Sequence, residues 1–129
     1  MIHSIEPARD GGASLGGAGL RAFARIADAW GLSITEQLQL LGIARSTFFK
    51  WRRERDPRLP RDTLERLSYL LGIYKSLQIL LPDARAADEW VRKPNTAPLF
   101  GGRPALERML SGQVADLFVV RQYLDAERG

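Results

Sequence analysis

Seven basic side chains fall between Arg45 and Arg61 (Arg45, Lys50, Arg52, Arg53, Arg55, Arg58 and Arg61), opposed only by Glu54 and Asp56. The rest of the chain holds 12 basic and 13 acidic groups, so the excess behind the net charge of +4 lives entirely in this segment. Guanidinium and ammonium groups gathered in one 17-residue segment suit the neutralisation of phosphates, and a helix within it can lie in the major groove of DNA. With Phe48 and Trp51 turned inward, the 100° per residue of a helix sends Ser46, Lys50 and Arg53 outward together, flanked by Thr47 and Phe49. On that reading Arg45, Ser46, Thr47, Lys50 and Arg53 are the candidate DNA-binding residues, with Arg52, Arg55 or Arg58 meeting phosphates around them. A trihelical unit that never touches DNA would carry the same basic face merely solvated.

Other chemistries find little support. The chain has no cysteine, which excludes disulfides, thiolate metal sites and thiol nucleophiles, and its only histidine is His3. Zinc would therefore need almost all-carboxylate ligands, so no metal and no cofactor is expected. Asp88, Glu89 and Glu65 are available carboxylates, but adjacent helical residues point about 100° apart and no second group converges on them. Ser33 and Ser46 look like helix-start residues without a base to activate them. Gly101-Gly102 precedes a helix, yet G-G-R-P is neither a P-loop nor a dinucleotide fingerprint. An enzyme is not expected.

The elements that position the basic face follow from periodicity. With 129 residues and 45% apolar composition, the chain fits one compact domain or two small helical pieces sharing a core. Its apolar runs, such as Ile79 to Leu81 and Leu117 to Val120, fall far short of the roughly 20 residues of a bilayer span. The start M-I-H-S-I-E-P lacks the pattern of a secretory signal, so the expected location is cytoplasmic. Residues 10 to 19 carry five glycines in D-G-G-A-S-L-G-G-A-G, so residues 1–19 are expected to form a flexible arm. A helix should follow, with Leu20, Phe23, Ala27 and Trp30 inward and Gly31 as its stop. Ser33 and Glu36 form a capping box for a short helix from Ile34 to Leu41. Gly42 then supplies the turn of a helix-turn-helix, with Leu38 and Leu41 before it and Ile43, Phe48 and Trp51 after it as packing positions.

Beyond Asp56-Pro57 and Leu59-Pro60, the apolar stripe Leu64, Leu67, Leu70, Leu71 predicts a helix that begins near Pro60 and continues past Gly72 to Leu81. Asp83 should cap a helix running through Trp90 and Val91. Lys93 to Pro104, with three prolines and two glycines, must be a loop in which Gly101-Gly102 permits close backbone approach. Pro104 should start a helix with Leu106, Met109 and Leu110 inside, and a last helix spans about Val114 to Ala126. In it Val114, Leu117, Phe118 and Leu124 make an inward stripe, while Ala115, Val119 and Tyr123 make a second one almost opposite. No strand-like alternation survives, so the fold class is all-α.

The run W-V-R-K-P-N-T-A-P-L-F-G-G-R-P-A-L-E-R-M-L-S-G from Trp90, followed by V-R-Q-Y-L in the last helix, resembles the toxin-binding domain of Xre/MbcA/ParS-type antitoxins. The order and spacing of Trp90, Pro94, Asn95, Phe100, Gly101, Gly102, Pro104 and Leu106 carry the likeness, which extends over about residues 20 to 129. The resemblance implies a helix-turn-helix domain at 20–72, a helical toxin-binding domain at 73–129, and the arm at 1–19 outside both. It further implies an antitoxin that binds a RES-domain toxin, a consumer of NAD or transferrer of ADP-ribose, blocks its active-site cleft and represses its own operon on operator DNA. The inhibitory surface would map to the final helix and tail, including Val119, Tyr123, Asp125, Glu127 and Arg128. A homodimer within a larger toxin–antitoxin complex is expected, because one short recognition helix supplies few contacts at cellular salt. The alternative is a stand-alone helix-turn-helix regulator whose C-terminal helices dimerise.

Overall fold

The computed structural model describes the backbone from Ile2 and the side chains from Leu15 to Gly129. Among the described residues seven α-helices follow one another: α1 (Ile2–Trp30), α2 (Ile34–Leu41), α3 (Arg45–Arg53), α4 (Arg61–Leu80), α5 (Ala84–Glu89), α6 (Ala105–Met109) and α7 (Val114–Glu127). A single 3-10 turn (Trp90–Arg92) extends α5, and among the described residues there is no strand, only an isolated bridge between Pro94 and Pro104. The all-α expectation holds.

Local signals set most boundaries. Ser33 Oγ accepts from the Glu36 N–H at 3.1 Å and Glu36 Oε1 accepts from the Ser33 N–H at 2.9 Å, the reciprocal pair that the S-x-x-E spacing calls for. Asp83 caps α5 by accepting from the Ala86 N–H at 3.2 Å. Pro60 and Pro104 stand one residue outside α4 and α6 as extended N-caps, because their ring-fixed φ suits the approach to a helix and they have no N–H to satisfy.

Part of the expected arm behaves differently from its composition. Residues 1–14 of that arm lie outside the described side chains, but residues 15–19 belong to α1, with Gly16 and Gly17 buried. A Cβ on Gly16 would stand 2.5 Å from the Pro57 carbonyl oxygen, and one on Gly17 2.9 Å from Asp56 Oδ1. Without side chains at these positions, α1 lies directly on the backbone that joins α3 to α4, and helix packing offsets the entropy that composition alone counts against order.

One core runs through the whole molecule. Phe23, Ile26, Trp30, Leu40, Leu41 and Phe48 from the first three helices join Leu70, Ile73 and Leu77 of α4, then Val91, Met109, Leu117 and Leu124. Leu70 and Ile73 are fully enclosed, each contributing about 1.5–3 kcal/mol by burial. α4 is the spine, packed most extensively on α7 and also on α1, α5 and α2. In α7 the inward residues are Leu117, Val120 and Leu124, whereas Phe118 is 44% exposed and leans edge-on against Tyr69 of α4 at 5.7 Å between ring centres. This corrects the expected inward stripe: Val120 takes the place assigned to Phe118, because α7 turns its face by about 100° per residue and α4 selects the 117/120/124 edge.

Candidate functional site

Two surfaces stand out, one on α3 and one at the free end of α7. The α3 surface begins with the turn that precedes it. Gly42 closes α2 in the left-handed region (φ 66°, ψ 38°), and its N–H donates to the Leu38 carbonyl at 2.8 Å. The guanidinium of Arg66 lies against Gly42 so closely that a Cβ there would stand 2.8 Å from Cζ. Arg66 in turn donates through Nε to Asp62 at 3.0 Å and through Nη2 to the Gly112 carbonyl at 2.9 Å, just before α7. The helix-turn-helix corner is thereby registered by an arginine of α4 that also holds the α6–α7 turn.

On α3, Phe48 and Trp51 are buried while Arg45, Ser46, Lys50 and Arg53 are exposed; Thr47 is half-buried at the edge. Lys50 Nζ stands 3.8 Å from Glu54 Oε2, a loose and well-solvated pair of little energetic consequence. Arg52 is more constrained than its sequence position suggested. Its guanidinium carbon sits 5.3 Å from the Phe48 ring centre and 5.8 Å from that of Phe49, a cation–π arrangement that fixes the charge on the flank of the helix.

The second surface is built by the loop between the 3-10 turn and α6. Asn95 Oδ1 accepts from the Ala97 N–H at 3.0 Å, the Asn95 N–H donates to the Arg103 carbonyl at 3.2 Å and the Gly102 N–H donates to the Asn95 carbonyl at 2.8 Å. This closed loop thrusts Phe100 inward, where its ring meets Trp90 at 5.8 Å and Tyr123 at 5.3 Å, both edge-to-face. Gly101 and Gly102, expected to permit close backbone approach, have nothing within 4 Å of a would-be Cβ; their positive φ values of 60° and 87° are what the loop tip requires.

The five residues expected on the C-terminal surface divide between two flanks of α7. Tyr123 and Glu127, one turn apart, line a cleft of about 260 Å³ with Leu77, Leu80, Leu81 and Trp90. Val119, half-buried, precedes Tyr123 by one turn on the same flank. Asp125 and Arg128 converge instead on Ser76, which is fully buried: its Oγ donates to Asp125 Oδ1 at 3.2 Å and accepts from Arg128 Nη1 at 3.3 Å. Their first office is to dock the end of α7 onto α4.

Arg92 gave no signal in the sequence, yet it joins the α1–α2 turn to the 3-10 turn after α5. Its Nε donates to the Trp30 carbonyl at 2.8 Å, and its Nη2 donates to the Gly31 carbonyl at 2.8 Å and to Glu36 Oε1 at 2.9 Å. The cation sits at the carbonyl end of α1, where the helix dipole favours it. Burial alone would raise the Glu36 carboxyl, but the Ser33 N–H and the Arg92 guanidinium outweigh it and hold that carboxyl below its ordinary value.

Comparison with known proteins matches both regions. Residues 12–72 match the family described as the antitoxin Xre-like helix-turn-helix domain, and residues 76–129 match the antitoxin Xre/MbcA/ParS C-terminal toxin-binding domain. A relative, uncharacterized protein y4oB of Sinorhizobium fredii (strain NBRC 101917 / NGR234), is 53% identical over 111 residues, covering 85% of this chain and 84% of its own length.

Proposed function

The chain belongs to the Xre/MbcA/ParS antitoxins, a family of non-enzymatic binding proteins with a helix-turn-helix and a toxin-binding domain, and from that premise we propose a two-surface inhibitor and autorepressor. The C-terminal surface binds a RES-domain toxin and blocks its active-site cleft, so that NAD is neither consumed nor used as an ADP-ribose donor. The α3 surface, through Arg45, Ser46, Thr47, Lys50 and Arg53, binds operator DNA and represses the operon. Two copies pair to present two recognition helices to a two-fold site, since one helix alone makes too few contacts at cellular salt. The place of action is the cytoplasm, and no helix among the described residues is long and apolar enough to cross a membrane.

One observation carries the toxin half of this reading. Within the region matching a toxin-binding domain, Tyr123 and Glu127 open onto a cleft walled by Leu80, Leu81 and Trp90, an apolar surface with an acidic rim at the free end of the fold. Val119 continues this flank, while Asp125 and Arg128 keep the helix end in place and stand exposed beside it. The test is co-expression with the adjacent reading frame, affinity capture, and measurement of cellular NAD with and without this chain. A stable complex that suppresses NAD loss is the expected result; no partner and no protection would leave the stand-alone regulator as the better account.

A further inference from the structure

Gly16 and Gly17 bring α1 onto the backbone between α3 and α4, and the consequence is electrostatic as well as steric. At that contact Arg21 of α1 comes beside Arg52 and Arg55, and the three surround a hollow of about 180 Å³ whose apolar walls include Leu20, Ala24 and the Trp51 ring. We propose that this hollow seats a phosphate of the DNA backbone, with Arg21 of α1 sharing one phosphodiester with Arg55 beside the ring-stacked Arg52. The proposal rests on the DNA-binding reading of α3 and adds a site to it on α1, the helix that precedes the α2–turn–α3 pair.

Three features favour a phosphate there over two nearby carboxylates, Glu54 in its loose pair with Lys50 and Asp56, whose Oδ1 borders the same Gly17 position as Arg21 Nη1, at 2.9 and 3.3 Å from a would-be Cβ. Arg52 is held over the Phe48 and Phe49 rings, so little side-chain freedom is lost when it meets an anion. The hollow is open to solvent and roomy enough to admit one phosphodiester group. Finally, Arg45 and Arg52 are seven residues apart, nearly two full turns, so they share a flank next to the Ser46/Lys50/Arg53 face. A helix lying in a groove meets the sugar-phosphate wall along such a flank.

The test uses the full chain, a duplex from upstream of its own gene and a random duplex of equal length, with affinity measured by fluorescence anisotropy from 50 to 200 mM salt. Arg21→Gln should weaken both duplexes by the same factor and flatten the slope of log K against log salt by about 0.9, which makes the fall across that range about threefold shallower than wild type. Arg55→Gln should do the same, and the Arg21→Gln/Arg55→Gln double variant should lose one such slope unit rather than two, because both grip one phosphate. Arg21→Lys, which keeps the charge, should restore the slope, and Arg25→Gln, exposed on α1 outside the hollow, should leave it unchanged. An unchanged slope for Arg21→Gln, a loss confined to the upstream duplex, or two slope units in the double variant would overturn the seat while operator preference abolished by Lys50→Ala/Arg53→Ala kept the DNA reading standing. If Lys50→Ala/Arg53→Ala also left binding unchanged, the DNA reading would fail and the seat with it.

Discussion

Replacing Gly42 tests whether the helix-turn-helix corner is set by α4 rather than by its own turn. In Gly42→Ala a side chain enters the left-handed region, at a cost of about 1–2 kcal/mol. The same Cβ would stand 2.8 Å from Arg66 Cζ and 3.0 Å from its Nε and Nη1, so the guanidinium must move. Moving it breaks a charge-assisted bond to the Gly112 carbonyl, about 1.5–3 kcal/mol; the Asp62 partner is 58% exposed and adds little. The single variant should therefore lose about 2.5–5 kcal/mol, and Arg66→Ala alone about 1.5–3. In the double variant the collision is gone and the Gly112 bond is already lost, so the second substitution adds little and the cycle shows a coupling of about 1.5–3 kcal/mol. Urea denaturation of the four proteins measures it, with m-values checked for equality. Gly42→Asn separates the two costs, since Asn tolerates the left-handed region but carries the same Cβ. Additivity within about 0.5 kcal/mol would refute the argument that Arg66 and Gly42 form one steric unit.

The Arg92–Glu36 contact predicts an acid-side signature: the folded carboxyl titrates below its ordinary 4.5, so its stabilisation is complete above that pH and fades as pH falls through the lowered value. The stability gap between wild type and Glu36→Gln should thus narrow between about pH 5 and pH 3 in urea titrations; a gap independent of pH would refute it. Deleting residues from Glu127 onward should release the toxin while thermal unfolding still shows a cooperative fold, whereas deletion from Leu124 also removes a side chain only 2% exposed, at about 2–5 kcal/mol. Retained neutralisation in the shorter deletion would remove the tail from the inhibitory surface. Lys50→Ala/Arg53→Ala should abolish the operator gel shift and leave toxin neutralisation intact, and loss of both would mean the substitutions act on folding. Gly16→Val should lower the melting temperature, since α1 must lift from Pro57, and circular dichroism melts that overlay wild type would show the contact to be dispensable.

The boundaries that sequence could announce were those decided within one turn of chain. The Ser33–Glu36 capping box, the Asp83 cap and Gly42 as a helix stop each depend on residues no more than four apart, and each appears where its spacing implies. Residues 15–19 misled because glycine content measures the entropy of the free chain, while the partner that orders them, Pro57, is some forty positions away. In α7, apolar residues surround the helix, so periodicity could not choose between Phe118 and Val120; only the position of α4 does. Arg66 and Arg92 were illegible for a related reason. A charged side chain is ordinarily assigned to solvent, and nothing local marks one that reaches a carbonyl 46 or 62 residues away.

Those two arginines bear on how the two surfaces relate. The matched regions end at residue 72 and resume at residue 76, and that interval lies inside α4, between Leu70 and Leu77 and beside the fully enclosed Ile73. Cutting the chain there would open the packing of α4 on α1 and on α7 at once, because the same helix serves both. Arg66 then fastens the recognition corner to the start of α7, and Arg92 fastens the α1–α2 turn to the start of the loop that carries Phe100. The two surfaces therefore belong to one packed body. The helix-turn-helix corner is tied through Arg66 to the Gly112 carbonyl of the toxin-binding domain, so affinities for DNA and for toxin belong to the full chain. Any free energy by which one ligand alters the other's binding must be equal in both directions, and measuring either direction on the intact protein gives both.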